Sequence, residues 1–308
     1  MNNKEISELF ECGKNIATFR AINVFKNNGI WVGYNSKNEA TLVIYGNDKI
    51  QSPISSKNVD VISSKGDNNY NLIFTLKNEE FYYVFIDFCS YLIDELKIEN
   101  EEKINKKSYK CWLSFKQLFE RKYNEFLSLE QIKGLVGELV FLNDYMFNKF
   151  DVYKGIDSWL GCEKAHKDFE YDNTWMEVKA ADQSKNEVKI SSLEQLDSHV
   201  DGYLCVVKMN LSSITSDISI SLNNIVNLIE EKIKDESYIH IFREKLLKIG
   251  FYRNEYYDQY RFVILSKKIY SIKEEFPRLT KRNVPIGVNS ASYKLDLNVI
   301  DIFCKEKF

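Results

Sequence analysis

The sequence contains only three prolines, three histidines and twelve glycines among its 308 residues. With so few chain-breaking residues and 44% hydrophobic residues, a chain that is disordered over most of its length is excluded. The six cysteines are scattered without a CxxC pair, so a zinc site is not expected. Such thiols are typical of the reducing cytoplasm.

Long apolar runs and phosphate-binding loops are missing as well. No apolar run approaches the ~20 residues that a membrane helix needs, and the polar start MNNKEISELF is unlike a secretory signal. We therefore expect a cytoplasmic protein that makes no membrane contact. Because there is no glycine-rich ATPase motif, any ATP-driven step would need a motor from another protein.

The net charge of −3 does not mark the whole molecule as a nucleic-acid binder. Basic residues are nevertheless concentrated in two places, where they could bind phosphates or could simply form solvated surface. Tyrosines upstream of the second cluster could stack on bases, although core packing is the commoner role. The first cluster is Lys103, Lys106, Lys107, Lys110, Lys116, Arg121 and Lys122; the second is Lys267, Lys268, Lys273, Arg278, Lys281 and Arg282; the tyrosines are Tyr252, Tyr256, Tyr257 and Tyr260.

The segment HKDFEYDNTWMEVKA, residues 166–180, contains the residues with the clearest catalytic pattern, Asp168, Glu177 and Lys179. Asp172-Asn173 is a pair typical of tight hairpin turns, and such a turn would place Asp168 opposite Glu177 with Cβ atoms roughly 5 Å apart. Glu177 and Lys179 alternate along the second strand and so share one face. Two carboxylates that close repel unless a proton or a cation lies between them.

Mg²⁺ suits this arrangement, because it takes hard oxygen ligands and needs only one or two carboxylates from the protein. Mn²⁺ is the expected substitute. The ammonium of Lys179 would then hold the attacking water or offset charge on the phosphate.

The flanking elements follow from caps and periodicity. Ser128-Leu-Glu-Gln131 is a capping box that predicts a helix over about 129–146, with a buried stripe that Glu138 flanks. Three short strands should follow, the last at Glu187–Ser191. A second capping box at Ser192–Gln195 predicts a helix that ends at Gly202, and the apolar run 203–209 predicts a buried strand.

Asp168-Phe169 and Glu177-Val-Lys179, with Gly134-Leu-Val-Gly-Glu138, resemble the signature of the PD-(D/E)XK nuclease superfamily. The chain is most similar to bacterial defence-associated PD-(D/E)XK motif proteins, which also share Ile190-Ser-Ser-Leu-Glu-Gln195 and Phe276-Pro-Arg-Leu. Lys167 stands where the nominal proline of the motif would be. The resemblance implies an α/β fold with a restriction-endonuclease-like αβββαβ core.

The resemblance also implies residue roles. Asp168 and Glu177 would hold the metal, with the carbonyl of Val178 completing its shell. Glu138 would be an auxiliary acid at the metal, unless it is a boundary residue that reaches water. Gln195 would contact the metal-bound water, unless it only caps its helix.

Four further groups have weaker functional readings. His166, Lys189 and His199 could approach substrate phosphate, as could the basic residues of the second cluster, Arg278, Lys281 and Arg282. For each, an ordinary surface role is the alternative.

The sequence predicts an N-terminal β-rich subdomain at 1–100, a nuclease core at 101–235 and a C-terminal α+β extension at 236–308. Its expected function is a Mg²⁺-dependent DNA endonuclease of restriction or phage defence. It could act with a separate ATPase, helicase or methyltransferase subunit, or as a homodimer. The alternatives are a catalytically silent nucleic-acid-binding or assembly subunit on the same scaffold, and a nuclease directed at RNA.

Overall fold

The computed structural model of the protein describes residues 3–14, 17–22, 29–97, 103–120, 126–161, 167–213 and 218–308. Two compact units divide the chain, one of Met1–Phe126 with Leu246–Arg253 and one of Leu127–Lys245 with Asn254–Phe308. The fold is mixed α/β, as the sequence predicted. The domain limits expected near residues 100 and 235 stay predictions. Within the described ranges, no helix has both the length and the apolar character needed to cross a membrane.

The first unit is built on an antiparallel five-stranded sheet with the strand order β1-β2-β3-β5-β4. The N-terminal sheet expected from the sequence is therefore present. Apolar side chains of the strands and of the helices that follow form one core, in which the ring of Phe74 packs against Phe88 and Trp112. The elements are α1 (Asn3–Glu11), β1 (Phe19–Ile22), β2 (Ile30–Tyr34), β3 (Ala40–Gly46), β4 (Val59–Lys65), β5 (Tyr70–Leu76), α2 (Tyr82–Lys97) and α3 (Ile104–Lys116).

The second unit contains a mixed sheet with the order β10-β11-β9-β7-β6, and β13 pairs with β11. Strands β7 and β9 are parallel, and the other pairs of this sheet are antiparallel. Its elements are α4 (Leu129–Phe141), a π-helical turn (Leu142–Met146), α5 (Phe147–Lys149), α6 (Val152–Ser158), β6 (Phe169–Tyr171), β7 (Thr174–Ala181), β8 (Glu187–Ile190), β9 (Gly202–Ser212), β10 (Ile220–Ser221), α7 (Leu222–Lys232), β11 (Arg261–Ile272), β12 (Tyr293–Asp296) and β13 (Cys304–Lys307). Helix α8 (Glu236–Ile249) begins in this unit, and its residues from Leu246 onward belong to the first unit.

Helix α4 begins as the sequence predicted. The Ser128 hydroxyl accepts a hydrogen bond from the backbone N–H of Gln131, and the Gln131 side-chain oxygen accepts one from the backbone N–H of Ser128. The helix packs against β7 through Gly137, where an added Cβ would lie 3.1 Å from the Cβ of Ala180. At Gly134 an added Cβ would meet nothing within 4 Å, so only Gly137 is required for close packing.

The predicted hairpin between β6 and β7 is present in the predicted register. Asp172 and Asn173 both have positive φ angles, of 44° and 57°, as a two-residue type I′ turn requires. Tyr171 pairs with Thr174, and Phe169 pairs with Met176. This hairpin delivers the carboxylates of the candidate site to one edge of the sheet.

Two parts of the predicted core differ from the structure. Strand β8 pairs with β12 in a separate two-stranded sheet instead of joining the main sheet. The helix predicted from Ser192 to Gly202 is wrong: only Leu193–Gln195 form a 3-10 turn, Ser192 makes no capping bond, and Gly202 begins β9. The segment 196–201 is too short and too poor in helix formers to propagate a helix, and side chains from elsewhere bind its carbonyls.

Candidate active site

Asp168 lies immediately before β6 and is held at both its backbone and its side chain. Its carbonyl accepts the N–H groups of Leu160 at 2.8 Å and Gly161 at 3.0 Å. Its carboxylate Oδ2 accepts the backbone N–H of Val178 at 2.7 Å. The ladder ends at the pair of Phe169 and Met176, so the expected pairing of Asp168 with Glu177 does not form, and the Asp168 side chain bonds to the backbone of Val178 instead.

Glu177 and Lys179 lie on one face of β7, as the strand alternation predicted. The Lys179 ammonium is 2.6 Å from Glu177 Oε1, and the Glu177 side chain is only 1% exposed. The other oxygen, Glu177 Oε2, is buried and has no hydrogen-bond partner among the residues that the structure describes. A buried carboxylate oxygen without a donor is costly, so this atom points to a ligand that those residues do not supply.

Glu138 reaches the same place from α4. Its Oε2 accepts the indole N–H of Trp159 at 2.8 Å. A Cβ added to Gly161 would lie 2.7 Å from Glu138 Oε2 and 3.2 Å from Asp168 Oδ1, so both carboxylates lie against the Gly161 backbone and leave no room for a side chain there. The position of Glu138 beside Asp168 favours the auxiliary-acid interpretation over a boundary residue that reaches water.

The pKa values of all three carboxyl groups are raised, and the charge of Asp168 contributes to the shifts of Glu177 and Glu138. Burial, followed by the charge of Asp168, raises the pKa of Glu177 to about 8, although Lys179 opposes the shift. Burial also raises the pKa of Asp168, against the pull of Lys179 and the Val178 N–H. Burial and the charges of Asp168 and Glu177 raise the pKa of Glu138 well above its usual range. Perturbed acids in such a cluster are typical of functional sites.

The carboxylate oxygens of the site are ligands that suit a divalent cation, although they do not form a complete coordination shell. Among the described residues, no group of three or more His, Cys, Asp or Glu side chains converges tightly enough to form a complete metal cage. Mg²⁺ does not need one, since it binds through one or two carboxylates and keeps water or phosphate oxygens in its remaining positions. Among the described residues, the unpartnered oxygen of Glu177, which lies within the electrostatic influence of Asp168, is the feature that agrees with such an ion.

Lys167, which replaces the nominal proline, has a structural role that the sequence did not reveal. Its buried ammonium donates to the carbonyls of Glu194 at 2.6 Å, Gln195 at 2.7 Å and Asp197 at 3.0 Å. It also lies 3.8 Å from the centre of the Trp175 ring. Burial lowers the pKa of Lys167 to about 8. The residue before Asp168 is therefore fastened to the 3-10 turn.

The weaker candidates have mixed positions. Gln195 lies in the 3-10 turn, where its Oε1 accepts the Ser191 N–H at 2.7 Å, so its side chain serves a local bond. His199 is exposed in the segment after that turn and contacts Arg282 at 2.7 Å. Lys189 is exposed on β8, opposite Lys294. His166 lies outside the described residues. Contact of these groups with substrate stays a prediction.

The second basic cluster is largely bound to the protein itself. Arg278 donates to the carbonyl of Leu196 at 2.6 Å, and Lys281 pairs with Glu194 at 2.9 Å. Lys267 and Lys268 pair with acidic residues as well, namely Asp144 and Asp301. In the first cluster Lys107 pairs with Glu95 and Lys116 with Glu120, while Arg121 and Lys122 lie outside the described residues.

The tyrosines upstream of the second cluster serve packing. Tyr257 is fully buried, and its hydroxyl accepts the Leu127 N–H at 3.4 Å. The hydroxyls of Tyr256 and Tyr260 lie 3.2 Å apart, and the ring of Tyr252 packs against Phe126. Stacking on bases stays a prediction for these residues.

Sequence reasoning missed three residues that shape the site: Trp159, Gly161 and Lys167. Trp159 and Gly161 act on Glu138 and Asp168 from a segment with no motif of its own. Lys167 had a usable signal, because a lysine directly before a strand of alternating burial must either reach water or find several acceptors.

A family model described as "Putative PD-(D/E)XK family member, (DUF4420)" matches residues 13–298. Neither the curated proteins nor the solved structures contain a match to the chain. The matched range includes Glu138, Asp168, Glu177 and Lys179, which the structure brings together. The chain therefore belongs to the DUF4420 family of PD-(D/E)XK proteins.

Proposed function

We propose that the protein is a Mg²⁺-dependent endonuclease that hydrolyses phosphodiester bonds in DNA. The observation that carries this proposal is the buried carboxylate of Glu177, which has Lys179 on one oxygen and, within the described ranges, no partner on the other. A purely structural ion pair would be expected to satisfy both oxygens, since an unsatisfied buried acceptor costs about 1–3 kcal/mol. Membership in a PD-(D/E)XK family supports the nuclease reading.

In this proposal Asp168 and Glu177 hold the cation, with the Val178 carbonyl as a further ligand and Glu138 as an auxiliary acid. When bound, the cation supplies Lewis-acid polarisation of the phosphate and of an attacking water. Lys179, beside Glu177, orients that water and offsets the negative charge that develops on the phosphate. Trp159 holds the Glu138 carboxyl in position through its indole N–H.

A role in restriction or phage defence is part of the same proposal. The sequence has no ATPase motif, so coupling to ATP would require a separate ATPase or helicase subunit, and coupling to modification a methyltransferase. Mn²⁺ is expected to replace Mg²⁺, because it accepts the same oxygen ligands. The chemistry on which the site rests does not depend on these partners.

The test is cleavage of supercoiled plasmid, linear duplex DNA and RNA by purified protein with Mg²⁺, Mn²⁺ or EDTA. Wild type is expected to nick or cut DNA only with metal, and Asp168→Ala and Lys179→Ala should abolish cutting. Asp172→Asn is the matched control, since it removes an exposed carboxylate of the same hairpin and asparagine tolerates the left-handed backbone there.

Equal cutting by wild type and both site variants would contradict the proposal. Faster cutting of RNA than of DNA would show that RNA is the preferred substrate. Tight DNA or protein binding with no cutting under any condition would instead favour a silent assembly subunit.

A further inference from the structure

The chain between β11 and β12 contains a loop, residues 279–292, that exposes apolar side chains at its tip. The Val288 N–H bonds to the Pro285 carbonyl at 3.1 Å, and Gly287 has a φ angle of 97°. These features define a type II turn that places Ile286 at its outer corner. Ile286 is fully exposed, and Val288 is 41% exposed. The tip is thus a defined turn that holds an isoleucine in solvent.

The charge of this part of the chain is opposite to that of the whole protein. From Phe276 to Leu295 there is no aspartate or glutamate, in a chain that has 45 of them. The same stretch contains four basic residues: Arg278, Lys281, Arg282 and Lys294. Arg282 contacts the ring of His199, and no ion pair joins it to an acid in the part of the chain that the structure describes. Lys281 and Lys294 pair with Glu194 and Glu187, so Arg282 is the positive charge that the loop presents in addition to its apolar tip.

The base of the loop is fastened to the segment that also holds Asp168. Arg278 and Lys281 bind Leu196 and Glu194, as described above, and the side-chain amide of Asn283 donates to the Arg278 carbonyl at 2.7 Å. Lys167, directly before Asp168, donates to the carbonyls of the same 194–197 segment. The loop and the catalytic carboxylate consequently share one anchor.

We propose that the loop 279–292 is a DNA-contacting arm, in which Arg282 binds a backbone phosphate and Ile286 inserts between base pairs. This inference rests on the proposed nuclease function and adds a substrate contact to it. Proteins that grip the minor groove commonly combine a basic side chain with an apolar wedge such as isoleucine or proline. The apolar tip is small, whereas a protein-docking site would normally expose a patch of several hundred Å².

Binding to a labelled random-sequence duplex tests the inference, with Mg²⁺ present and cleavage silenced by Lys179→Ala in every protein. Ile286→Ser should weaken DNA binding about tenfold or more, because the variant lacks the apolar side chain whose burial between base pairs would stabilise the complex. Arg282→Gln should lower the slope of log K against log salt by about 1. Ile302→Ser is the matched control: Ile302 is 84% exposed in the same unit, and its replacement should leave binding unchanged.

A duplex containing 2-aminopurine reports insertion directly. Its fluorescence should rise when the Lys179→Ala protein binds and should not rise with the added Ile286→Ser change. Because Ile286 contacts solvent, its replacement should leave the melting temperature unchanged, and a loss of binding will not reflect unfolding.

If Ile286→Ser binds and raises fluorescence like its parent while wild type still cleaves, the inference is wrong and the proposed function stands. If Ile286→Ser instead abolishes self-association or binding to anionic vesicles and spares DNA binding, the tip docks elsewhere and the inference is again overturned. Failure of wild type both to bind and to cleave DNA would remove the proposed function, and the arm with it.

Discussion

Replacing Glu177 by glutamine should abolish the proposed DNA cleavage and yet stabilise the metal-free protein at alkaline pH. In the folded protein burial raises the pKa of Glu177 from 4.5 to about 8. Between those two values the folded state binds a proton that the unfolded state has released, so stability falls as the pH rises. One such proton is worth about 1.4 kcal/mol per pH unit.

Between pH 6 and pH 8, the free energy of unfolding of the wild type should therefore fall by about 2 kcal/mol relative to that of Glu177→Gln. Below pH 4.5 both states are protonated, and well above pH 8 both are ionised, so the difference should level off at both ends. The change to glutamine weakens the contact to Lys179 without removing it, because the amide oxygen of the new side chain can still accept a hydrogen bond from the ammonium.

The assay is urea unfolding in EDTA across this pH range, followed by the fluorescence of Trp159 and Trp175, both in the second unit. Adding Mg²⁺ at pH 8 should stabilise wild type by about 1–3 kcal/mol at tenfold to hundredfold excess over its dissociation constant. It should leave Glu177→Gln unchanged. Glu170→Gln, which removes an exposed acid of β6, is the control and should behave like wild type.

A different result would refute the reasoning. If Glu177→Gln is less stable than wild type by the same amount at every pH, and Mg²⁺ has no effect on either protein, then Glu177 and Lys179 form a structural ion pair. The site would then carry no metal chemistry.

Two further predictions concern the support of the site. Lys167→Met should destabilise the protein by about 2–4 kcal/mol, because three carbonyls lose their charged donor, and should lower the cleavage rate tenfold or more through misplacement of Asp168. Lys208→Met removes another lysine that bridges three carbonyls, so it should destabilise the protein in urea unfolding without a matching loss of rate; equal losses of rate would contradict the positioning role. On α4, Gly134→Ala should gain up to about 1 kcal/mol from helix propensity, whereas Gly137→Ala should be less stable than Gly134→Ala by about 1 kcal/mol or more, because its methyl group meets Ala180. Thermal melts of the two glycine variants check this, and equal melting temperatures would refute the packing argument.

The features that the sequence predicted correctly are local ones. The Asp172-Asn173 turn and the Ser128 capping box each depend on a few neighbouring residues, and both are present with the expected bonds. From the turn, strand alternation places Glu177 and Lys179 on one face without further information. The placement of Glu177 beside Lys179 could therefore be predicted from the hairpin, while the chemistry of the site stays a prediction.

The predictions that were wrong concern features that depend on residues far apart in the chain. The second capping box at Ser192 matches the pattern, but the carbonyls that a helix would use bind Lys167 and Arg278 instead. Likewise, β8 pairs with β12, more than 100 residues later in the chain. No local pattern encodes these contacts. The contribution of Gly161 could not be foreseen either, because it depends on how closely the Glu138 and Asp168 side chains approach its backbone.

The most direct test of the account is the first-order cleavage rate of duplex DNA measured against Mg²⁺ concentration, for wild type, Asp168→Asn and Lys179→Gln. The account predicts that Asp168→Asn needs at least about tenfold more Mg²⁺, as loss of a ligand implies. Lys179→Gln should keep the Mg²⁺ midpoint and lose about a hundredfold or more in maximal rate, as removal of a charge-stabilising donor does. Metal-independent cleavage, or wild-type curves for both variants, would contradict it.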